Sequence, residues 1–210
     1  MNLKTFVQGL KQGRVACGCI GPAVTLLAAL VRSCGLSEEL VDWSALLMQS
    51  AEVAMASELQ DKPRPSTSNC SSRKSLLKAL ELVGEVALLG LHVPPSICNA
   101  VQALTADMPL PATGVIDVEV RAVAVLALGK IASSDSVLAR RWAPAFARSC
   151  STHSCPLVRN NAMLVRFCLV IVIFFGECDF CPCFVTDVDV NIMIILLGAC
   201  RALHPVCERW

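Results

Sequence analysis

Apolar residues recur at three- and four-residue intervals along nearly the whole chain. Strict alternation bounded by Asn-Gly or Asp-Gly turns does not occur, so the pattern predicts helices throughout and an all-α fold. Leu3, Phe6, Val7 and Leu10 form one face of a first amphipathic helix. Pro22 suits the opening of a second helix running to about Cys34, where Gly35 can take the left-handed conformation that ends it. Ser37 is the expected N-cap of a third helix, with Glu38 and Glu39 favouring its first turn. Leu40, Trp43, Leu46, Leu47 and Met48 carry its stripe toward Leu59.

At 60–74 the stripe gives way to Pro63, Pro65 and a cluster of Ser, Thr and Asn. This reads as a loop or linker between an N-terminal helical region, 1–59, and a second region, 75–210. Leu76, Leu77, Leu80, Val83 and Val86 predict a helix over 75–91 that Pro94 and Pro95 stop, followed by a short helix around Ile97 to Leu104 and a break at Pro109 to Gly114. Asp117 can cap the next helix. On it Val120, Val123, Ala124, Ala127 and Ile131 line one face, and Val118, Ala122 and Val125 an adjacent one. A helix so apolar must be covered on two sides, as in a stack of helix pairs. After Ser133 to Asp135 another helix is predicted from Val137 to about Ser149, kinked at Pro144. A turn at Cys150 to Cys155 then leads to Pro156 at the start of the next helix.

The pair Val120 and Arg121 returns as Val158 and Arg159 after 38 residues, with the Pro144 helix between. A period near 40 with two helices per unit is the mark of HEAT or armadillo repeats, an α-solenoid of antiparallel helix pairs. The stretch 121–131, RAVAVLALGKI, followed by SDSVLARRWAPAFAR at 134–148 and PLVRNNAM at 156–163, resembles the condensin-subunit block of HEAT-repeat regulatory subunits, in the version found in condensin II. The likeness resumes with FVTDVDVNIMIILLGACRALHPV at 184–206. It implies a non-catalytic scaffold of the nucleus and chromosome. In that role it binds the condensin kleisin, the SMC ATPase subunits and DNA, and acts in mitotic chromosome condensation without a cofactor or small-molecule substrate. The repeat residues so marked are Asp117, Val120, Arg121, Pro144, Pro156, Val158, Arg159, Asn160 and Asn161.

One stretch departs from the family pattern. Pro156 to Pro205 spans 49 residues against the 38 of the preceding interval, and 166–183 carries the excess as an atypical insertion. The expectation is a partial or irregularly spliced chain with a truncated last repeat. Residues 166–183 would then be translated intron, a buried helix extension or a membrane segment. The uncharged run Phe167 to Gly176 is only ten residues long, short of the ~17–25 a span needs, but it keeps open a small membrane-associated protein anchored there. A generic HEAT or armadillo adaptor that holds a peptide in its groove is the other alternative.

Composition agrees with buried helices: 55% of residues are apolar, 17% are charged and Tyr is absent. The formal net charge of +1 gives no whole-chain attraction for polyanions, so any nucleic-acid contact must be local. Such a place exists. From Ser136 to Gly176 there is no Asp or Glu, while Arg140, Arg141, Arg148, Arg159 and Arg166 supply five positive charges. Arg140, Arg141 and Arg148 are the candidates for holding a DNA backbone, since a guanidinium matches phosphate in a two-pronged contact. Arg121 and Arg159 are expected to bond turn carbonyls or carboxylates within the stack, and Asn160 and Asn161 to pair between helices.

Thirteen cysteines, an odd number mostly within apolar stretches, read as small hydrophobes of a reducing compartment rather than as a disulfide framework. The acid-free first 37 residues share their pattern with mitochondrial transit peptides, although an ordinary first helix has the same look. Cys178, Cys181 and Cys183 have a zinc-compatible spacing that lacks a clear second pair, with Cys150, His153 and Cys155 the nearest candidates, so no metal is expected. His92, His153 and His204 lie in no H-E-x-x-H pattern and no phosphate-binding G-x-x-x-x-G-K-[ST] loop occurs, so catalysis finds no support.

Overall fold

The computed structural model describes residues 3–12, 14–16, 18–59, 69–105 and 118–175. These form helices α1 (Leu3–Lys11), α2 (Ile20–Ser33), α3 (Ser37–Leu59), α4 (Asn69–Leu88), α5 (Pro95–Thr105), α6 (Val118–Ser133), α7 (Ser136–Thr152) and α8 (Pro156–Phe175). No strand occurs among the described residues, whose regular structure is all helical.

Packing follows an alternating order. The even-numbered helices lie one against the next, α2 on α4, α4 on α6 and α6 on α8, while α1 touches α3 and α3 touches α5. Sequence neighbours also meet, as α3 with α4, α5 with α6 and α7 with α8. Helix α6 therefore sits among four others, α4, α5, α7 and α8. Its apolar girth demands that seat: Val120, Ala122, Ala124, Val125, Ala127, Leu128, Ile131 and Ala132 are all buried. Each fully buried Val or Ile contributes about 1.5–3 kcal/mol, so the helix is held mainly by apolar cover.

Two glycines set how closely the even helices approach. A Cβ on Gly129 of α6 would stand 2.6 Å from Cγ1 and 3.0 Å from Cβ of Val165 on α8, and closer still to its Cγ2. A Cβ on Gly84 of α4 would meet the Lys130 Cδ at 2.8 Å and the Ala127 Cα at 3.3 Å. The absence of a side chain lets the α6 backbone at Gly129 lie against the Val165 side chain, and the α4 backbone at Gly84 lie against the backbone of α6 at Ala127. Lys130 then runs alongside Gly84 and donates to the Glu85 carboxylate at 2.5 Å, both side chains being largely buried. Desolvation cancels much of an ion pair's Coulombic gain, so this one fixes register more than it adds stability.

Helix ends carry specific chemistry. Gly35, at φ +72°, closes α2 with its own N–H on the Arg32 carbonyl and the Leu36 N–H on the Val31 carbonyl, the paired bonds of a left-handed C-terminal stop. The Glu81 carboxylate of α4 accepts the Gly18 N–H just ahead of α2, and Arg32 donates to the Leu89 carbonyl beyond the end of α4. Both bonds tie α2 to α4.

Several boundaries differ from the sequence reading. The linker expected through Lys74 is already helical from Asn69. Once Leu76, Ala79, Leu80 and Val83 bury the body of α4, adding polar turns to its start costs little because the nucleus is formed. The end of α4 comes at Leu88, where Gly90 at φ +73° stops it ahead of the two prolines, and Pro95 opens α5 instead. Leu46 is 46% exposed, because the buried arc of α3 runs through Leu40, Trp43, Leu47, Ala51 and Met55. Val118, in the first turn of α6, is exposed while Ala122 and Val125 behind it are covered. The expected turn from Cys150 is helical as far as Thr152, and α7 runs on through Pro144. Asp117, residues 60–68 and the break at 109–114 lie outside the described residues, as do 184–206.

Replacing Gly129 with Ala should lower unfolding stability by about 1–3 kcal/mol through overpacking, and adding Val165→Ala should return part of that loss. Denaturant unfolding of the single and double variants measures it; strictly additive effects would separate the two positions.

Candidate nucleic-acid interface

The candidate basic face is carried by α7. Asp135 caps it from extended backbone, its Oδ1 accepting the N–H of Val137 at 2.8 Å and of Leu138 at 3.4 Å, so the two first-turn donors are satisfied. Ala139, Trp142 and Phe146 are buried and turn one face of the helix into the protein. At 100° per residue, Arg140, Arg141 and Arg148 fall within an arc of about 100° on the opposite face, and all three are exposed. Exposed Pro144 shares that arc. Proline has no N–H, so α7 runs on through this position without the backbone donor that another residue would supply.

The remaining arginines of the acid-free stretch are used differently. Arg159 of α8 donates from Nη1 to the carbonyls of His153 and Ser154, at 2.8 and 2.9 Å, and so pins the turn that joins α7 to α8. Arg121 of α6 is buried, with Nη1 3.5 Å from Nε2 of the equally buried His153. His153 in turn accepts the Cys155 N–H on Nδ1 at 3.1 Å. Arg166 is exposed on α8. Asn161 donates to the Ala122 carbonyl at 2.9 Å and bridges α8 to α6, whereas Asn160 faces solvent. Val158 is fully buried and Pro156 opens α8. The structure thus separates the arginines into three on a solvent face and two spent on the joint behind it, with Arg166 on the next helix.

Sequence reasoning missed two parts of this arrangement. The sequence reading places Asp135 in a break, although an Asp directly before a periodic apolar run is a recognised start signal. The role of His153 carried no signal, because the contacts of a lone histidine in a polar turn depend on where α6 comes to lie.

No group of three or more metal-ligating side chains gathers among the described residues. Cys178, Cys181 and Cys183 lie outside them, as do Glu177 and His204. Cys19 and Cys34 are exposed and Cys168 is buried, with Cys98, Cys150 and Cys155 between, so the reading of cysteines as small core hydrophobes fits Cys168 best. Among the described residues no helix is long and apolar enough to cross a membrane. Comparison with family models, curated proteins and solved structures finds no match to this chain.

Burial pushes the thiol pKa of Cys98 upward, and burial does the same at Cys150 against the opposing charge of Arg166. The nucleophile is the thiolate, so both sites should alkylate slowly at neutral pH and catch up as the pH rises, whereas exposed Cys19 and Cys34 react first. Site-resolved mass spectrometry of iodoacetamide labelling reads that order. Equal rates at neutral pH would contradict the packing around Cys98 and Cys150.

Proposed function

We propose that the chain is a non-catalytic scaffold built as a HEAT-type α-solenoid, with a DNA-backbone contact on the outer face of α7. The observation that carries the reading is the alternating file of helices. Helix α6 packs against both α4 and α8, which supports a reading in which each repeat unit is covered by its neighbours. The stretch that resembles the condensin II regulatory subunit falls on α6, α7 and the start of α8, three consecutive helices in mutual contact. A role in chromosome condensation beside a kleisin and the SMC ATPase subunits rests on that resemblance. So do a place in the nucleus and the absence of a catalytic role.

The DNA contact has its own support. Three exposed guanidinium groups share one helix face, and the 41 residues from Ser136 to Gly176 contain no Asp or Glu of their own. Phosphate is the chemistry that such a face fits, and it confers position rather than sequence preference.

Replacing Arg140, Arg141 and Arg148 together with Ala should weaken duplex binding and reduce the slope of log K against log salt by about 2–3, one unit for each lost phosphate contact. Fluorescence anisotropy over a salt series tests this, and an unchanged slope removes the face from the account. Affinity capture from mitotic extract tests the assembly. Recovery of a kleisin together with the ATPase pair supports the chromosomal reading. Recovery of unrelated peptide-bearing partners alone would replace it with a generic adaptor.

A further inference from the structure

The last described helix shows its neighbours only part of its apolar surface. Val158, Ala162, Val165, Cys168 and Leu169 of α8 are buried, and the helix packs against α6 and α7. On another face Met163, Phe167 and Val170 are exposed at 59, 60 and 44%. Their spacing of four and three residues makes them a continuous stripe rather than scattered surface residues. Exposed Arg166 stands at the edge of this stripe, three residues after Met163.

The chain itself carries a segment of matching chemistry shortly afterwards. From Val190 to Cys200 there are eleven residues without a charge, including Ile192, Met193, Ile194, Ile195, Leu196 and Leu197. Asp187 and Asp189 precede this run and Arg201 follows it, the order of charges that suits a helix dipole. So many consecutive apolar residues need cover. Among the described residues the exposed apolar stripe of α8 lies nearest along the chain, and consecutive elements usually lie side by side. Reach is sufficient. The eleven residues 176–186 can span up to about 35 Å, whereas the stripe lies only 5–12 residues back from Phe175, about 8–18 Å along the helix. Charge agrees as well, because the acid-free surface of α7 and α8 presents Arg166 beside the stripe and the segment brings two aspartates at its start.

We propose that the exposed stripe of α8, Met163, Phe167 and Val170, is the docking face for the chain's own segment 187–203, with Arg166 beside Asp187 and Asp189. The proposal uses only the surface of α8 and the chain's sequence. Failure to capture condensin partners or to bind DNA would leave it standing.

Hydrogen–deuterium exchange of the full-length chain tests it, alongside light scattering to follow mass. Amides across 190–201 should exchange at least ten-fold more slowly than an unprotected chain. Phe167→Asp should abolish that protection while α4, α5 and α6 keep theirs, which shows that the variant remains folded. Ile194→Asp, on the other side of the contact, should expose the α8 stripe to the same degree. Rapid exchange of 190–201 in the unaltered protein overturns the proposal, and so does protection that survives both substitutions. Protection that disappears on dilution as the mass falls from dimer to monomer overturns it in favour of a second copy as occupant. Protection that requires phosphatidylcholine vesicles overturns it in favour of a membrane surface.

Discussion

Close approach of α6 to the helices on either side is the constraint on which the rest of the structure depends. Gly129 leaves room for Val165 of α8, and Gly84 leaves room for Ala127 and the Lys130 stem. Neither contact can be relieved by a flexible side-chain end alone, since the facing groups are a β-branched side chain in one case and a backbone Cα in the other. Apolar burial supplies the energy of this seat, and the glycines determine how deep it is. Asn161 and the Lys130–Glu85 pair then fix the register, each linking α6 to one of its even-numbered neighbours.

The basic face inherits its position from that packing. With α6 and α8 set, Arg159 holds the turn between α7 and α8 by two carbonyls, and His153 meets Arg121 from the same turn. Asp135 fixes the other end of α7. Buried Trp142 and Phe146 leave the helix one orientation, and the opposite arc, with Arg140, Arg141 and Arg148, is directed outward by elimination. The arginines that complete the joint and those that face solvent are close in sequence yet serve different chemistry. Their assignment depends on helical phase.

Much of this was legible in residue order. Helical periodicity identified an all-α chain, and Gly35 marked the end of α2 through the left-handed conformation it adopts. The two-sided greasiness of α6 foretold its central place, because no single neighbour could cover it. Other features were illegible for physical reasons. Gly84 and Gly129 look like ordinary costs inside helices until the facing residue is known. The buried partnership of Lys130 with Glu85 spans 45 residues and leaves no local trace. Leu46 resembles its neighbours in composition and differs only in phase, and Gly90 stopped α4 where Pro94 and Pro95 offered the louder signal.

Nuclear Overhauser contacts between methyl groups and backbone protons reach directly into the seat of α6. The account expects strong contacts from the Val165 methyls to the Gly129 α protons and from Ala127 to Gly84, in a protein whose other helices give their own expected contacts. A folded, helical protein in which Val165 sees solvent or other residues, and Gly84 sees no part of α6, would contradict the packing of α6 on α4 and α8 and the functional reading proposed from it.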